Sequence, residues 1–265
     1  MALPSLVREV CSEYLEQADA ETPGLVTGLY LIGSLALGGY RDGRSDIDFL
    51  AVTSRRPGPE DVAGLGRLHA EMARRHRHPV LDGVYVRAAD LSRRPDDLDG
   101  AVRANLGTVS PGDHYEPNPV TMHLLVRRGI AFRGPDIPDL GLRDDPSALR
   151  RWVADNLVSY WKPWVTRWSR SFGPKAMGGW PVEWAVLGVP RLHFTLTSGE
   201  ICTKEEGARY ASRRFGGQWD AILDEALRLR ARGAGGYHRP SLMRRRDALD
   251  FVRMVIADGE RLGPH

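Results

Sequence analysis

With 265 residues, 42% of them hydrophobic and 27% charged, the chain can bury one large core or two modest ones, and its composition is not that of a disordered polymer. No apolar run approaches the roughly 18 residues of a membrane-spanning helix, and two cysteines without a C-x-x-C spacing argue against a disulfide or zinc framework and suit a reducing, cytoplasmic setting. The net charge of +3 conceals an asymmetry, since residues 146–265 hold 20 Lys and Arg against 12 Asp and Glu while the first 145 hold 17 against 22. Such a division suits an anionic ligand, with solvated helix faces the plainer account of most of the arginines.

Residues 5–19 place Leu6, Val7, Val10, Tyr14 and Leu15 at helical spacing. Early acids and the lack of a long apolar core make this a surface helix rather than a signal peptide. Strands are predicted over 28–34 (GLYLIGS) and 47–53 (IDFLAVT). A helix opens at Pro59 and keeps Val62, Leu65, Leu68 and Met72 on one side. A third strand over 79–87 turns Leu81, Gly83 and Tyr85 to one face and Asp82, Val84 and Val86 to the other. The polar stretch 88–118, rich in Asp, Pro and Gly, reads mostly as loop, and TMHLLVRRGIAFRG as a helix followed by a short strand.

Beyond GLRDDPSALRRW the pattern becomes helical. A helix starts at Asp145-Pro146-Ser147, and an aromatic stripe runs from Trp152 to Trp168 with a kink at Pro163. Further helices are predicted over 181–197, from a Thr203/Glu206 capping box, over 218–231 and over 241–257. All seven tryptophans lie between 152 and 219, and core packing accounts for them better than a stacking platform, because Trp161, Trp164 and Trp168 share a helical face. The predicted architecture is an α/β (α+β) domain with a small mixed sheet over 1–145, followed by an all-α bundle over 146–265.

One short stretch carries chemistry. Asp46 and Asp48 stand one residue apart at the start of an apolar strand and project to the same side. A carboxylate beside a core strand costs free energy unless it is paired or binds a cation. If the 79–87 strand pairs beside 47–53, Asp82 joins them, and three converging carboxylates require a compensating charge. Oxygen-only ligands favour Mg²⁺ bridging substrate phosphates, and two such ions can activate a hydroxyl and neutralise a leaving pyrophosphate. Upstream, Gly33-Ser34 lets the backbone approach a phosphate closely, and Arg44 and Ser45 can add contacts. His76 and His78 lack the further ligands a metal site needs and read as a solvated basic helix end.

The pattern Gly33-Ser34, eleven residues, then Asp46-Ile47-Asp48 resembles the nucleotidyltransferase superfamily that includes DNA polymerase beta. Within it, LYLIGSLALGGYRDGRSDIDFLAV (29–52) and RLHFTLTSGEICTKEEGARY (191–210) resemble the aminoglycoside adenylyltransferases of the streptomycin/spectinomycin type. The resemblance implies that Asp46 and Asp48 hold the metals, that Asp82 stands where the family has an acidic residue, often glutamate, acting as ligand and catalytic base, and that Ser34 and Lys204 face the triphosphate. Where streptomycin-modifying members carry tryptophan in RIW, this chain has His193 in RLH, which argues against a streptomycin pocket and leaves spectinomycin or another acceptor. Glu183 and Glu200 bracket the family-like helix and are expected, with His193, to meet the drug, ahead of Asp155 and Glu205.

The expectation is a Mg²⁺-dependent enzyme moving AMP from ATP to a hydroxyl of an aminoglycoside or aminocyclitol, acting as a cytoplasmic monomer. The alternatives are transfer to another small molecule, a protein or an RNA end, or a regulatory module that binds nucleotide without chemistry. Nucleic acid is disfavoured because the Arg244–Arg246 run lacks interleaved aromatics.

Overall fold

A computed structural model describes residues 3–93, 101–111 and 117–263. The chain divides into two compact units, Met1–Asp145 and Pro146–His265.

The first unit contains α1 (Ser5–Glu21), β1 (Val26–Leu31), the helical turn α2 (Gly33–Ala36), β2 (Ile47–Thr53), α3 (Pro59–Arg75), β3 (Leu81–Arg87), β4 (Val102–Asn105), β5 (Thr108–Pro111), α4 (Pro119–Arg128) and β6 (Ile130–Arg133). Its six strands form one mixed sheet in the order β5-β4-β3-β2-β1-β6. Only β2 and β3 run parallel among the described pairings, with Ile47 opposite Leu81 and Asp48 opposite Asp82; the other pairs are antiparallel.

Period-two alternation sorts each central strand between two cores. Ile47, Phe49 and Ala51 of β2, with Leu81 and Tyr85 of β3, pack with Val7, Val10 and Tyr14 of α1 and Leu65 and Leu68 of α3. Leu50, Val52, Val84 and Val86 pack the opposite way, with Met122 and Leu125 of α4. Burying each large side chain contributes about 1.5–3 kcal/mol, so a one-residue slip of β2 against β3, which would exchange the two faces, is strongly disfavoured. Asp48 and Asp82 alternate with the second set and therefore share the α4 face, each as the second residue of its strand.

Two expectations are corrected. The first strand ends at Leu31, and Gly33-Ser34 opens a helical turn instead of closing the strand. The described part of 88–118 is not mostly loop, because β4 and β5 form a hairpin there; residues 94–100 and 112–116 lie outside the described residues. Strands of four residues with only two buried positions in β4, Val102 and Ala104, carry too little apolar signal to stand out from polar surroundings.

The second unit comprises α5 (Pro146–Asn156), a π-helical turn (Leu157–Trp161), α6 (Lys162–Arg170), α7 (Pro174–Met177), α8 (Gly179–Ser198), α9 (Lys204–Phe215), α10 (Asp220–Ala231) and α11 (Ser241–Glu260). α8 packs against α5, α9, α10 and α11 and is apolar around most of its circumference, as a central helix must be. The irregularity predicted at Pro163 takes the form of the π turn just before it, where the Lys162 amide reaches back five residues to the Leu157 carbonyl. The Thr203/Glu206 capping box opens α9: Thr203 Oγ1 accepts from the Glu206 amide at 3.1 Å and Glu206 accepts from the Thr203 amide at 2.8 Å. Trp161 and Trp168 are core residues, whereas Trp180 is 63% exposed and stacks on Trp184 at 5.8 Å. No helix among the described residues is long and apolar enough to cross a membrane.

Candidate active site

The site grows from the junction of β1 and β2. The Ile32 amide donates to the Asp48 carbonyl at 2.9 Å, extending the strand pairing by one bond. The chain then turns at Gly33 with φ of +60°, a left-handed conformation that glycine adopts without penalty. The absence of a side chain there is required twice over, since a Cβ on Gly33 would lie 1.8 Å from Asp48 Oδ2. The Asp48 carboxylate thus sits directly against the turn, where the Ser34 amide donates to Oδ2 at 3.4 Å. Ser34 Oγ is buried and has no hydrogen-bond partner among the described residues.

Asp46 lies in the loop leading into β2. In that loop Ser45 is buried; its amide donates to the Arg41 carbonyl at 2.9 Å and its Oγ accepts from the Arg41 amide at 3.1 Å. Ser45 therefore closes the loop that presents Asp46, and Arg44 stands half-buried beside it.

Asp82 faces Asp48 across the parallel pairing. Burial pushes its pKa up to about 6, an effect opposed by the Arg103 guanidinium and reinforced by the Asp46 carboxylate. Asn105 Nδ2 donates to Asp82 Oδ2 at 3.1 Å. Arg103 and Asn105 both belong to β4, within the stretch expected to be mostly loop. The signal was present in the alternation Val102-Arg103-Ala104-Asn105 before Leu106-Gly107, a short hairpin pattern.

Among the described residues no three or more His, Cys, Asp or Glu side chains form a ready-made metal cage. The donor chemistry nevertheless fits Mg²⁺, which is held through one or two carboxylates together with substrate phosphates rather than by an all-protein cage. Asp48 and Asp82 supply register-paired carboxylates. The Gly33-Ser34 turn packs directly against the Asp48 carboxylate, and the buried Ser34 hydroxyl is an available donor. His76 is instead tied to Glu13, with Nε2 and Oε2 2.6 Å apart.

In the second unit the candidates separate. Glu183 stands near the start of α8 and Glu200 just beyond its end, about 26 Å apart at a helical rise of about 1.5 Å per residue. They do not grip one small molecule together, which corrects their pairing. Glu183 instead shares the buried Arg230 with Glu205: Arg230 Nε donates to Glu205 Oε1 at 2.9 Å, and Arg230 Nη1 lies 3.9 Å from Glu183 Oε1. Glu200 is exposed, and its carbonyl accepts from Thr195 Oγ1 at 2.8 Å. Lys204 opens α9 with Nζ 5.9 Å above the Trp184 ring.

His193 is fully buried, with Nδ1 2.8 Å from Tyr210 Oη and Nε2 3.0 Å from Asp258 Oδ2. Burial lowers its pKa, while Asp258 acts in the opposite sense. With both ring nitrogens engaged it has no group left to offer a ligand, which corrects its assignment to an acceptor pocket.

The carboxylates of β2 and β3 beside a Gly-Ser turn, on a mixed sheet followed by a helical unit, can be compared with known proteins. Neither a protein-family model nor a curated protein matches the chain. Among solved structures it is similar to spectinomycin adenyltransferase AAD(9) from Enterococcus faecialis, crystallised with ATP and spectinomycin. The TM-score is 0.63 at 12% identity, covering 92% of this chain and 98% of that one. The fold is of the nucleotidyltransferase type. At this identity the likeness establishes architecture, and the chemistry must be argued from the side chains.

Proposed function

We propose that the chain is a Mg²⁺-dependent nucleotidyltransferase that moves AMP from ATP to a hydroxyl of a small acceptor of the aminocyclitol or aminoglycoside class. The observation that carries this reading is the placing of Asp48 and Asp82 opposite one another on adjacent parallel strands, beside the Gly33-Ser34 turn.

Asp46, Asp48 and Asp82 would hold the metal, which when bound supplies charge neutralisation for the phosphate oxygens. Backbone and hydroxyl donors at Gly33-Ser34 orient the triphosphate. Asp82 draws the proton from the acceptor hydroxyl. The acceptor oxygen forms a bond to the α-phosphorus as the bond to the β-phosphate oxygen breaks, and pyrophosphate leaves with its electron pair. The family resemblance assigns Lys204 to the triphosphate, and Glu183, near the start of α8, is the candidate for the acceptor. Because position 193 is buried, histidine there does not separate streptomycin from spectinomycin; the acceptor bound by the AAD(9) structure makes spectinomycin the first to try.

The test is incubation with Mg²⁺, labelled ATP and a panel of streptomycin, spectinomycin and other aminoglycosides, followed by detection of an AMP-linked product. Asp46→Ala and Asp48→Ala are each expected to abolish pyrophosphate release with any acceptor that works. Undiminished turnover in either variant refutes the assignment.

A further inference from the structure

β4 lies on the side of Asp82 away from Asp48. Its antiparallel register, Gly83 opposite Ala104 and Val84 opposite Arg103, brings Asn105 level with Asp82 on the face that carries the carboxylates. The Asn105 amide donates to Asp82 Oδ2 at 3.1 Å, while Asp82 Oδ1 carries no hydrogen bond among the described residues. An aspartate carboxylate is otherwise broadly free about its terminal torsion, so this one bond decides which oxygen faces β4 and which remains to take a proton or a cation.

Asn105 is itself held firmly. It is the last residue of β4, pairs with Thr108, and has its carbonyl bonded by Thr108 Oγ1 at 2.7 Å. Leu106 and Gly107 between them both take positive φ, as a tight two-residue hairpin turn demands. The chemistry of the partner also matters. A lysine or arginine at this place would pair with the carboxylate and compete with a metal, and a second carboxylate would repel it. A neutral amide orients Asp82 without altering its charge.

We propose that Asn105 is a positioning residue for the transfer reaction: it holds Asp82 by Oδ2 and so presents Oδ1 to the metal and the acceptor hydroxyl. This inference rests on the nucleotidyltransferase reading above.

The test is a double-mutant cycle on the full chain, with Asn105→Ala, Asp82→Ala and the double variant, and Asn105→Gln as the rescue. Calorimetry of ATP binding with and without Mg²⁺ is the first readout, and turnover with a working acceptor the second. Loss of an amide that orients a metal-binding carboxylate is expected to weaken Mg²⁺-dependent ATP binding by about 10–100-fold. The kcat is expected to fall while the acceptor KM holds, and Asn105→Gln to recover part of both losses. In the Asp82→Ala background, Asn105→Ala is expected to add less than about twofold, because the two residues act as one unit. Mg²⁺-dependent binding that needs Asp82 but ignores Asn105, or losses that simply multiply, overturn this inference alone. A wild-type chain with no Mg²⁺-dependent ATP binding overturns the proposed function and the positioning role together.

Discussion

Replacing Gly33 with alanine separates a strained backbone from a displaced carboxylate. The added Cβ would meet Asp48 Oδ2 at 1.8 Å, Cγ at 2.5 Å and Cβ at 2.7 Å, whereas carbon atoms pack at about 3.5–4.0 Å. Either the turn or the carboxylate must therefore shift by well over 1 Å. A displacement of about 1 Å in a reacting constellation costs roughly 100-fold in rate. The positive φ adds about 1–3 kcal/mol of strain for any residue with a side chain, which lowers the melting temperature by several degrees in a chain of this size. Gly24 provides the control, because its φ is +69° and nothing lies within 4 Å of its added Cβ. Gly24→Ala is expected to lose comparable stability and keep its turnover. Gly33→Ala is expected to lose at least about 100-fold in Mg²⁺-dependent pyrophosphate release. The assay pairs thermal unfolding with pyrophosphate release under saturating ATP. Turnover of Gly33→Ala within a few-fold of Gly24→Ala would refute the close approach as a feature of the working site.

Three further outcomes follow from buried charge. In chelator, Asp82→Asn is expected to stabilise the protein above pH 6. With its folded-state pKa raised from 3.8 to about 6, the native state binds that proton more tightly than the unfolded chain, so the contribution of Asp82 to stability is greatest below pH 4 and is lost as pH climbs to about 6. The full shift corresponds to about 3 kcal/mol; solvent screening reduces this to about 1–2 kcal/mol, and a thermal scan showing no gain would contradict it. His69, buried beside Tyr85 and lowered to about 4 by burial, has the opposite sign. The unfolded chain takes up its proton first, so stability falls as pH drops from about 6.5 towards 4, and denaturant titrations should show His69→Gln flattening that slope. Arg230→Ala removes the buried guanidinium that Glu183 and Glu205 share and is expected to cost about 3–5 kcal/mol in urea unfolding. A loss below about 1 kcal/mol would place that pair with ordinary surface bridges.

Much of the helical unit was legible because its signals are local. Pro146, the Thr203/Glu206 box and 3.6-residue periodicity all act within a few residues of the bonds they determine. The separation of Glu183 and Glu200 was legible too, since the predicted helix length already places them several turns apart. His193 was not. Its position on an apolar helix says nothing of the Tyr210 and Asp258 partners that α9 and α11 deliver to it. The β4–β5 hairpin escaped because four-residue strands bury too few side chains to be distinguished from loop.

From the amino-acid order alone come the Gly33-Ser34 step upstream of the carboxylates, the doublet Asp46 and Asp48 at the head of an apolar strand, and the face of its own strand on which Asp82 lies. These depend on backbone torsions and on the alternation of side chains, which neighbours in sequence decide. Only the folded chain determines that β2 and β3 pair in parallel with Asp48 opposite Asp82, and that β4 brings Asn105 to the same carboxylate. Strand partners and register are chosen by burial summed over both cores of the sheet, a quantity that no single segment contains.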